Sequence, residues 1–396
     1  MPYEKNKYIV LSESCSIRLL DKPFVYNKRT DELYEMGEPA ACLLCKCDGT
    51  ATVGGLGADP GFVEYCLKEG ILELTDWPNK RHITCKESET PMLRYLELHL
   101  TNRCNLACRH CYLSAGDGND LELIKVFKVF EEFDALQGLR LMLSGGEPLL
   151  HRQFWYINER LNDYGFRAIL LTNGTLITKE TAERLKCHEA QVSLDGMQAS
   201  HDMLRGQGSF AKAVKGIENL LAAGIRTSVA TMATTLNKAE FDDMDELVTS
   251  LGVSEWTVDA PSMSGRFLEN PSLMLPPQES GPLLNYGFGG GIHTGPEGFA
   301  CGSNLMAVGS NGSVAKCGFY IGKPAGNLSE GLAACWERLK PLRLDELGCS
   351  CEHKAECRGG CRYRAESYGC GRGADPVKCH AFGIKSKEGG ACDDHI

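Results

Sequence analysis

The sequence predicts an α/β fold: a partial (β/α)6 TIM-like barrel, preceded by a winged-helix-like α+β unit and followed by a Cys-rich block. Three observations carry this. Six apolar strand-like segments alternate with helical ones between residues 92 and 265. Ahead of them stands a short stretch with strands and helices of its own, closed by a polar linker. Behind them, from about Gly287, Gly and Cys are frequent and long apolar runs are few. Such a block buries little apolar surface and is expected to need metal to hold it.

With 396 residues the chain has room for two or three domains and a large core. Its 43% hydrophobic and 24% charged residues are those of a soluble globular protein. A net charge of −10 without a basic tract argues against a nucleic-acid partner. No signal peptide and no apolar run of about 18 residues is present, so no membrane span and a cytoplasmic location are expected. In a reducing compartment, 20 cysteines at motif spacing point to metal rather than to a disulfide framework.

Residues 1–75 open with strand-like segments at 8–11, 17–20 and 23–27. A helical stretch follows in "GEPAACLLCKC", closed by an Asp48-Gly49 turn. "DPGFVEYCLKEG" reads as a second helix, with Pro60 near its start and Gly70 at its end, and "ILEL" as a last strand. Cys42, Cys45 and Cys47 sit on the short helix and read as small buried residues, as do Cys187 and Cys335. Residues 76–91, polar with two prolines, read as a linker.

Residues 92–286 hold the strands "LRYLELHL", "LRLMLSGG", "RAILLTNG", "AQVSLDG", "RTSVATMA" and "EWTVDAP". Between the first two, Ile124, Phe127, Phe130 and Phe133 recur at helical spacing. Repeated βα units build a parallel sheet with its chemistry at the C-terminal ends of the strands. Six repeats suit an open barrel better than a closed one.

Just beyond the first strand, "TNRCNLACRHCY" holds Cys104, Cys108 and Cys111. Three thiolates can hold three irons of a cubane 4Fe–4S cluster and leave the fourth iron open. An open position separates a reactive site from a closed structural one. A zinc knuckle, or an electron-transfer cluster completed by a distant cysteine, is the alternative. The second strand ends in Ser144-Gly145-Gly146-Glu147-Pro148. Glycine permits close backbone approach to a ligand, and carbonyls with Glu147 can accept bonds from an ammonium group. The third strand ends at Thr172-Asn173 and the fourth at Ser193, near Asp195. Asp195 could pair with His201 or Arg205; Arg205 could instead clamp a carboxylate.

The cysteine motif and Gly-Gly-Glu-Pro together resemble the radical SAM superfamily. That resemblance implies S-adenosylmethionine chelated by the unique iron, its amino group held at the glycine motif. The implied contacts are Ser144, Gly145, Gly146, Glu147, Asn173, Ser193 and Arg205. It further implies that one electron from the reduced cluster cleaves the sulfonium, and that a 5′-deoxyadenosyl radical takes hydrogen from an unactivated carbon.

Eight further cysteines lie at motif spacing in the C-terminal block: Cys301, Cys317, Cys349, Cys351, Cys357, Cys361, Cys370 and Cys379. Eight exceed one metal site and suggest two added clusters, with two zinc sites as the alternative. The pattern is similar to the SPASM extension of radical SAM enzymes. That likeness implies Cys301, Cys317 and Cys361 on auxiliary cluster I, and Cys349, Cys351, Cys357 and Cys379 on auxiliary cluster II, three 4Fe–4S clusters in all. Two departures matter. The pair Cys349-x-Cys351 is short by one residue, so Cys370 could displace Cys349. No cysteine lies between Cys187 and Cys301 to complete cluster I; an open iron, Glu297, His293 or an N-terminal cysteine could fill the place.

Residues 1–75 resemble the PqqD-like domain of peptide-modifying radical SAM enzymes, which binds a leader peptide as an added strand; a generic winged-helix-like structural unit is the alternative. The combined resemblance implies a maturase of a ribosomally made precursor peptide, forming a thioether or C–C crosslink and drawing electrons from a ferredoxin or flavodoxin. In sulfatase-maturing relatives an aspartate follows the Gly-x4-Cys cysteine; here Gly318 stands there. A tetrapyrrole-modifying enzyme, a maturase of a metalloenzyme or quinoprotein subunit, and a non-catalytic electron carrier remain as alternatives.

Overall fold

The computed structural model describes residues 5–90, 92–116, 118–289 and 297–385. The first unit contains β1 (Tyr8–Leu11), β2 (Cys15–Leu19), β3 (Pro23–Asn27), β4 (Glu32–Glu35), β5 (Asp48–Thr52) and β6 (Leu72–Thr75). They form two three-stranded sheets, β5-β1-β6 and β2-β3-β4, with antiparallel pairing throughout. Two of these strands go beyond the sequence reading. β4 was not foreseen, and Asp48-Gly49 opens a strand rather than a turn. The helix Pro60–Lys68 forms as its signals require: Pro60 stands at its start and the Asp59 carboxylate accepts from the Phe62 N–H. Ile9, Leu11, Ile17, Val25, Leu44, Val63 and Leu72 close a separate small core.

The six strands of the barrel are β7 (Tyr95–Thr101), β8 (Arg140–Gly145), β9 (Arg167–Thr172), β10 (Glu189–Ser193), β11 (Arg226–Met232) and β12 (Glu255–Asp259). Each pairs in parallel with the next in chain order. The sheet does not end at β7. β13 (Leu305–Val308) adds to it in parallel, followed by β14 (Ser313–Ala315) and β15 (Gly326–Asn327), giving nine strands. The C-terminal block therefore does bury apolar surface, contrary to the expectation from its composition. Met306, Val308, Val314, Leu328, Leu332 and Trp336 belong to the same core as the barrel helices. Each such side chain is worth roughly 1.5–3 kcal/mol.

Strand alternation sorts the barrel faces. Leu96, Leu98 and Leu100 pack with Val126, Val129, Phe130 and Phe133 of the helix Leu123–Ala135. Ile124, expected on that face, is 74% exposed instead; steps of three residues drift around a helix of 3.6 per turn, away from Phe133. The other face of β7, with Tyr95, Glu97, His99 and Thr101, turns to the lumen.

The first unit is fastened to the N-terminal ends of the barrel strands. Asp31, in the β3–β4 turn, lies 2.5 Å from Arg140, and Arg167 donates to the carbonyls of Lys28 and Arg29 at 2.7 and 3.0 Å. Arg94 pairs with Asp21 at 2.6 Å. The stretch 76–91 is also tied down, Arg81 N–H bonding to the Asp48 carbonyl. Cys45 joins Cys85 in a disulfide across this stretch, with Cα atoms 6.2 Å apart, inside bridging reach. Cys45 is thus not a plain buried thiol, and Cys42 is exposed, while Cys47, Cys187 and Cys335 are buried as expected.

Candidate active site

The loop after β7 carries Cys104, Cys108 and Cys111 at the C-terminal end of the sheet. Arg103 holds its start, donating to both oxygens of Asp120 at 3.1 and 2.8 Å and also to the Leu150 carbonyl. Arg266 holds its end: its guanidinium donates to the carbonyls of Cys108 and Ala115 at 3.0 and 2.8 Å, and its backbone N–H to that of Cys111 at 2.9 Å. Neither arginine stood out in the sequence, because the partners of each lie elsewhere along the chain, at Asp120 and Leu150 for Arg103 and at Cys108, Cys111 and Ala115 for Arg266.

The glycine turn is zipped against this loop. The N–H groups of Gly146 and Glu147 each donate at 2.8 Å, to Thr101 and Arg103 carbonyls. A Cβ on Gly146 would stand 2.2 Å from the Arg103 oxygen, so only glycine fits. Glu147 is wholly buried, and its carboxylate accepts from Thr172 Oγ1 at 2.8 Å, Asn173 N–H at 2.9 Å and Leu149 N–H at 3.4 Å. Its side chain therefore ties β8 to β9. Asn173 Nδ2 bonds Asn105 at 3.0 Å and lies 4.0 Å from Cys104 Sγ. Ser144 Oγ donates to Glu97 at 3.2 Å, and Ser193 closes β10 with no side-chain hydrogen bond among the described residues.

Burial pushes Glu147 up to about 7, against the three donors that lower it. Between about pH 4.5 and 7 the folded chain keeps a proton there that the unfolded chain releases. Stability should therefore fall as pH rises through that window. Comparing urea midpoints near its two ends should show this fall in the wild type, and Glu147→Gln should flatten it.

Asp195 pairs with Arg205 at 2.5 Å and with His110 Nε2 at 3.0 Å, and accepts from Met232 N–H at 2.7 Å. His201 instead accepts from the Asp195 backbone. Arg205 and His110 hold the Asp195 carboxyl well below the usual range in spite of its burial. Arg205 also reaches to 4.0 Å from Cys108 Sγ. It is thus engaged by a carboxylate of the chain itself, beside the cysteine loop.

In the C-terminal block, burial raises the Cys317 thiol to about 12, and the Glu97 carboxylate, then Cys301 and Cys361, add to this. Cys379 is raised to about 11 by burial, then by Asp375, with Cys357, Cys349 and Cys351 contributing. Cys317 thus feels the charge of Glu97, Cys301 and Cys361, and Cys379 that of Asp375, Cys357, Cys349 and Cys351. Cys370 is disulfide-bonded, which removes it as a rival to Cys349. Of the other candidates near the three-thiol set, Glu297 is exposed, His293 lies outside the described residues, and Cys15, Cys47 and Cys66 are buried in the N-terminal core. Arg358 joins the two motif runs, donating to the Phe299 carbonyl at 2.7 Å and to Ser303 at 3.0 Å.

The donor sets fit iron–sulfur clusters. They consist of soft thiols, and burial opposes deprotonation of Cys104, Cys108, Cys317, Cys357, Cys361 and Cys379 until a metal takes them. N–H groups face the sulfurs, as Gly359 N–H faces Cys357 Sγ at 3.3 Å. Among the described residues, no three His, Cys, Asp or Glu side chains converge to hold a single ion. A cubane spreads its thiolates over different irons.

An open parallel barrel with a triple-thiol loop on its first strand and a glycine–carboxylate turn on its second defines an α/β enzyme with its site at the strand ends. Residues 98–248 match the family model of the Radical SAM superfamily. Mycofactocin maturase MftC of Mycolicibacterium smegmatis is 30% identical over 304 residues, 67% of this chain and 77% of that protein. The AdoMet-dependent heme synthase of Methanosarcina barkeri is 29% identical over 324 residues, 69% and 92% of the two chains. Against several other curated relatives the chain spans about half of their length. In fold, the chain is similar to Streptococcus suis SuiB bound to its precursor peptide SuiA, with a TM-score of 0.69 and 15% identity over 94% of this chain and 99% of that one. The chain belongs to the radical SAM superfamily and is a radical SAM enzyme. Among the described residues no helix is long and apolar enough to cross a membrane.

Proposed function

We propose that this enzyme matures a ribosomally synthesised precursor peptide, forming a thioether or C–C crosslink. The carrying observation is the first unit, an independent α+β core docked through Asp31, Arg140 and Arg167 at the base of the barrel. Its outer strand β4 is half exposed and pairs on one side only, with β3. An extended leader peptide can add to such an edge. Likeness to MftC, named as a maturase, and to SuiB, seen with a precursor peptide, supports the same reading. On this reading residues 1–75 are a PqqD-like recognition domain, 76–91 a linker, 92–286 the radical SAM barrel and 287–396 a SPASM domain. Three 4Fe–4S clusters, a ferredoxin or flavodoxin donor and a cytoplasmic location complete it.

Cys104, Cys108 and Cys111 would hold the first cluster, and the Gly145-Gly146 turn, Asn173 and Ser193 would border S-adenosylmethionine. When bound, this pair supplies a carbon radical able to abstract hydrogen from a peptide carbon. Around it, Arg103 and Arg266 keep the loop in register, Glu147 locks the second and third strands together, and the Asp195–Arg205–His110 group fixes the wall beside Cys108.

The heme-synthase relative favours a second reading, modification of a tetrapyrrole. One experiment separates the two. The reconstituted enzyme is incubated with S-adenosylmethionine, a reductant and, in parallel reactions, the peptide encoded by a short reading frame beside the gene or iron–coproporphyrin. Loss of two hydrogens, or a multiple, from the peptide is expected, together with binding to the first unit. An unchanged peptide alongside a decarboxylated or otherwise altered iron–coproporphyrin would overturn the peptide reading.

A further inference from the structure

One carboxylate of the barrel lumen has no part in the roles above. Glu97 sits mid-way along β7, beside Ala307 of β13 in the sheet register. Its Oε1 is held by three groups: Tyr112 Oη donates at 2.8 Å, His99 Nε2 lies at 2.9 Å, and Ser144 Oγ donates at 3.2 Å. Its Oε2 has no hydrogen-bond partner among the described residues. That oxygen faces Gly318, where an added Cβ would stand 2.8 Å from Oε2 and 3.0 Å from Oε1. A hydrogen at position 318 is what leaves the carboxylate its room.

The location is specific. Tyr112 directly follows Cys111 of the first cysteine loop, and Gly318 directly follows Cys317 of the auxiliary set. The Phe319 ring packs 5.1 Å from that of Tyr112, so the two loops meet at Glu97. Cys317 has an extended backbone, φ −162° and ψ 176°. Gly318 then opens a short 3-10 turn, and the Glu97 carboxylate is the first charge that raises the neighbouring Cys317 thiol, ahead of Cys301 and Cys361. Iron content therefore separates an anchor for substrate from a ligand of that set. Burial alone would raise the Glu97 carboxyl, but His99, Tyr112 and Ser144 bring it below its ordinary range. It is a fixed anion with one acceptor oxygen free.

We propose that Glu97 anchors the substrate: Oε2 accepts a hydrogen bond from an N–H group, an amide or a cationic side chain, of the segment held between the two cysteine loops. The identity of that donor rests on the peptide reading; the openness of Glu97 does not. The test has two arms on the anaerobic holoenzyme. Carbodiimide with glycinamide, read by peptide mass spectrometry, should label Glu97 and spare Glu147, which is buried with three donors. In the second arm Glu97→Gln should raise KM for the gene-adjacent peptide about tenfold, the worth of one charge-assisted hydrogen bond, with iron content unchanged. Gly318→Ala should move KM the same way. Absence of label on Glu97, or a wild-type KM in Glu97→Gln, overturns the proposal. Loss of about four irons in Glu97→Gln also overturns it, by making Glu97 a cluster ligand. Should the wild type modify no peptide, the functional reading falls, and the labelling arm still decides whether Glu97 is open to a ligand.

Discussion

Cys108→Ala is expected to form no 5′-deoxyadenosine above background after anaerobic reconstitution. Its iron should drop to about 8 per chain from about 12, the content of three cubanes. The reason lies in the loop's construction. Cys108 is buried, its carbonyl is held by Arg266, and its sulfur lies 4.0 Å from the Arg205 guanidinium. The nearest cysteines in sequence outside the motif are not free to replace it: Cys85 is bonded to Cys45, and Cys187 is buried in the core among apolar side chains. Cys187→Ala is the matched control. It should leave iron unchanged and cost only about 1 kcal/mol, as a small core truncation does. Iron near 4 per chain in the wild type, with zinc present, would refute the three-cluster count.

Arg364→Leu is expected to cost about 3–5 kcal/mol in chemical denaturation, as breaking a buried ion pair does, and to lose about four irons, those of the cluster proposed at Cys361. Arg364 is buried and bonds Asp375 at 2.8 Å, Asp259 at 2.5 Å and the Ala260 carbonyl at 3.1 Å. Asp375 in turn accepts from the Cys361 N–H at 2.8 Å and caps the helix Pro376–Ala381, which carries Cys379. Removing the guanidinium would strand a carboxylate only 1% exposed, and with it the anchors of two cysteine sets. Arg364→Lys keeps the charge but not the fork, so it should recover part of the stability. A loss below about 1 kcal/mol in Arg364→Leu would show that the pair is not structural.

Much of the fold was legible because it depends on short-range patterns. All six barrel strands lie on the apolar runs, five of which close on Gly, Asn or Asp, and the helix Pro60–Lys68 begins at its proline. The cysteine and glycine motifs fall on neighbouring strand ends, as two consecutive βα units require. Glu97 and His99 were also visible in principle, as alternate polar residues in "YLELHL", since period two puts them together on one face. Other elements were not legible. β4 is polar and short, "ELYE", and becomes a strand only because β3 offers it a partner. The addition of β13 to β7 joins residues over 200 apart in sequence, which no local pattern encodes. Arg103, Arg266, Arg358 and Arg364 likewise act on loops far along the chain.

The sequence by itself determined the chemistry available. It set which thiols exist, at what spacing, and beside which glycines, because ligand type and loop length are local properties. It also determined the parallel order of the barrel, since each βα unit lays its strand next to the last. Only the tertiary structure decided which of these groups face one another. It turned Glu147 into a strap between strands, gave Arg205 to Asp195, withdrew Cys370 into a disulfide, and set the free oxygen of Glu97 against Gly318. A side chain's partner is fixed by packing and by the cost of leaving a buried polar group unmet, and both are settled only when distant segments close on one core.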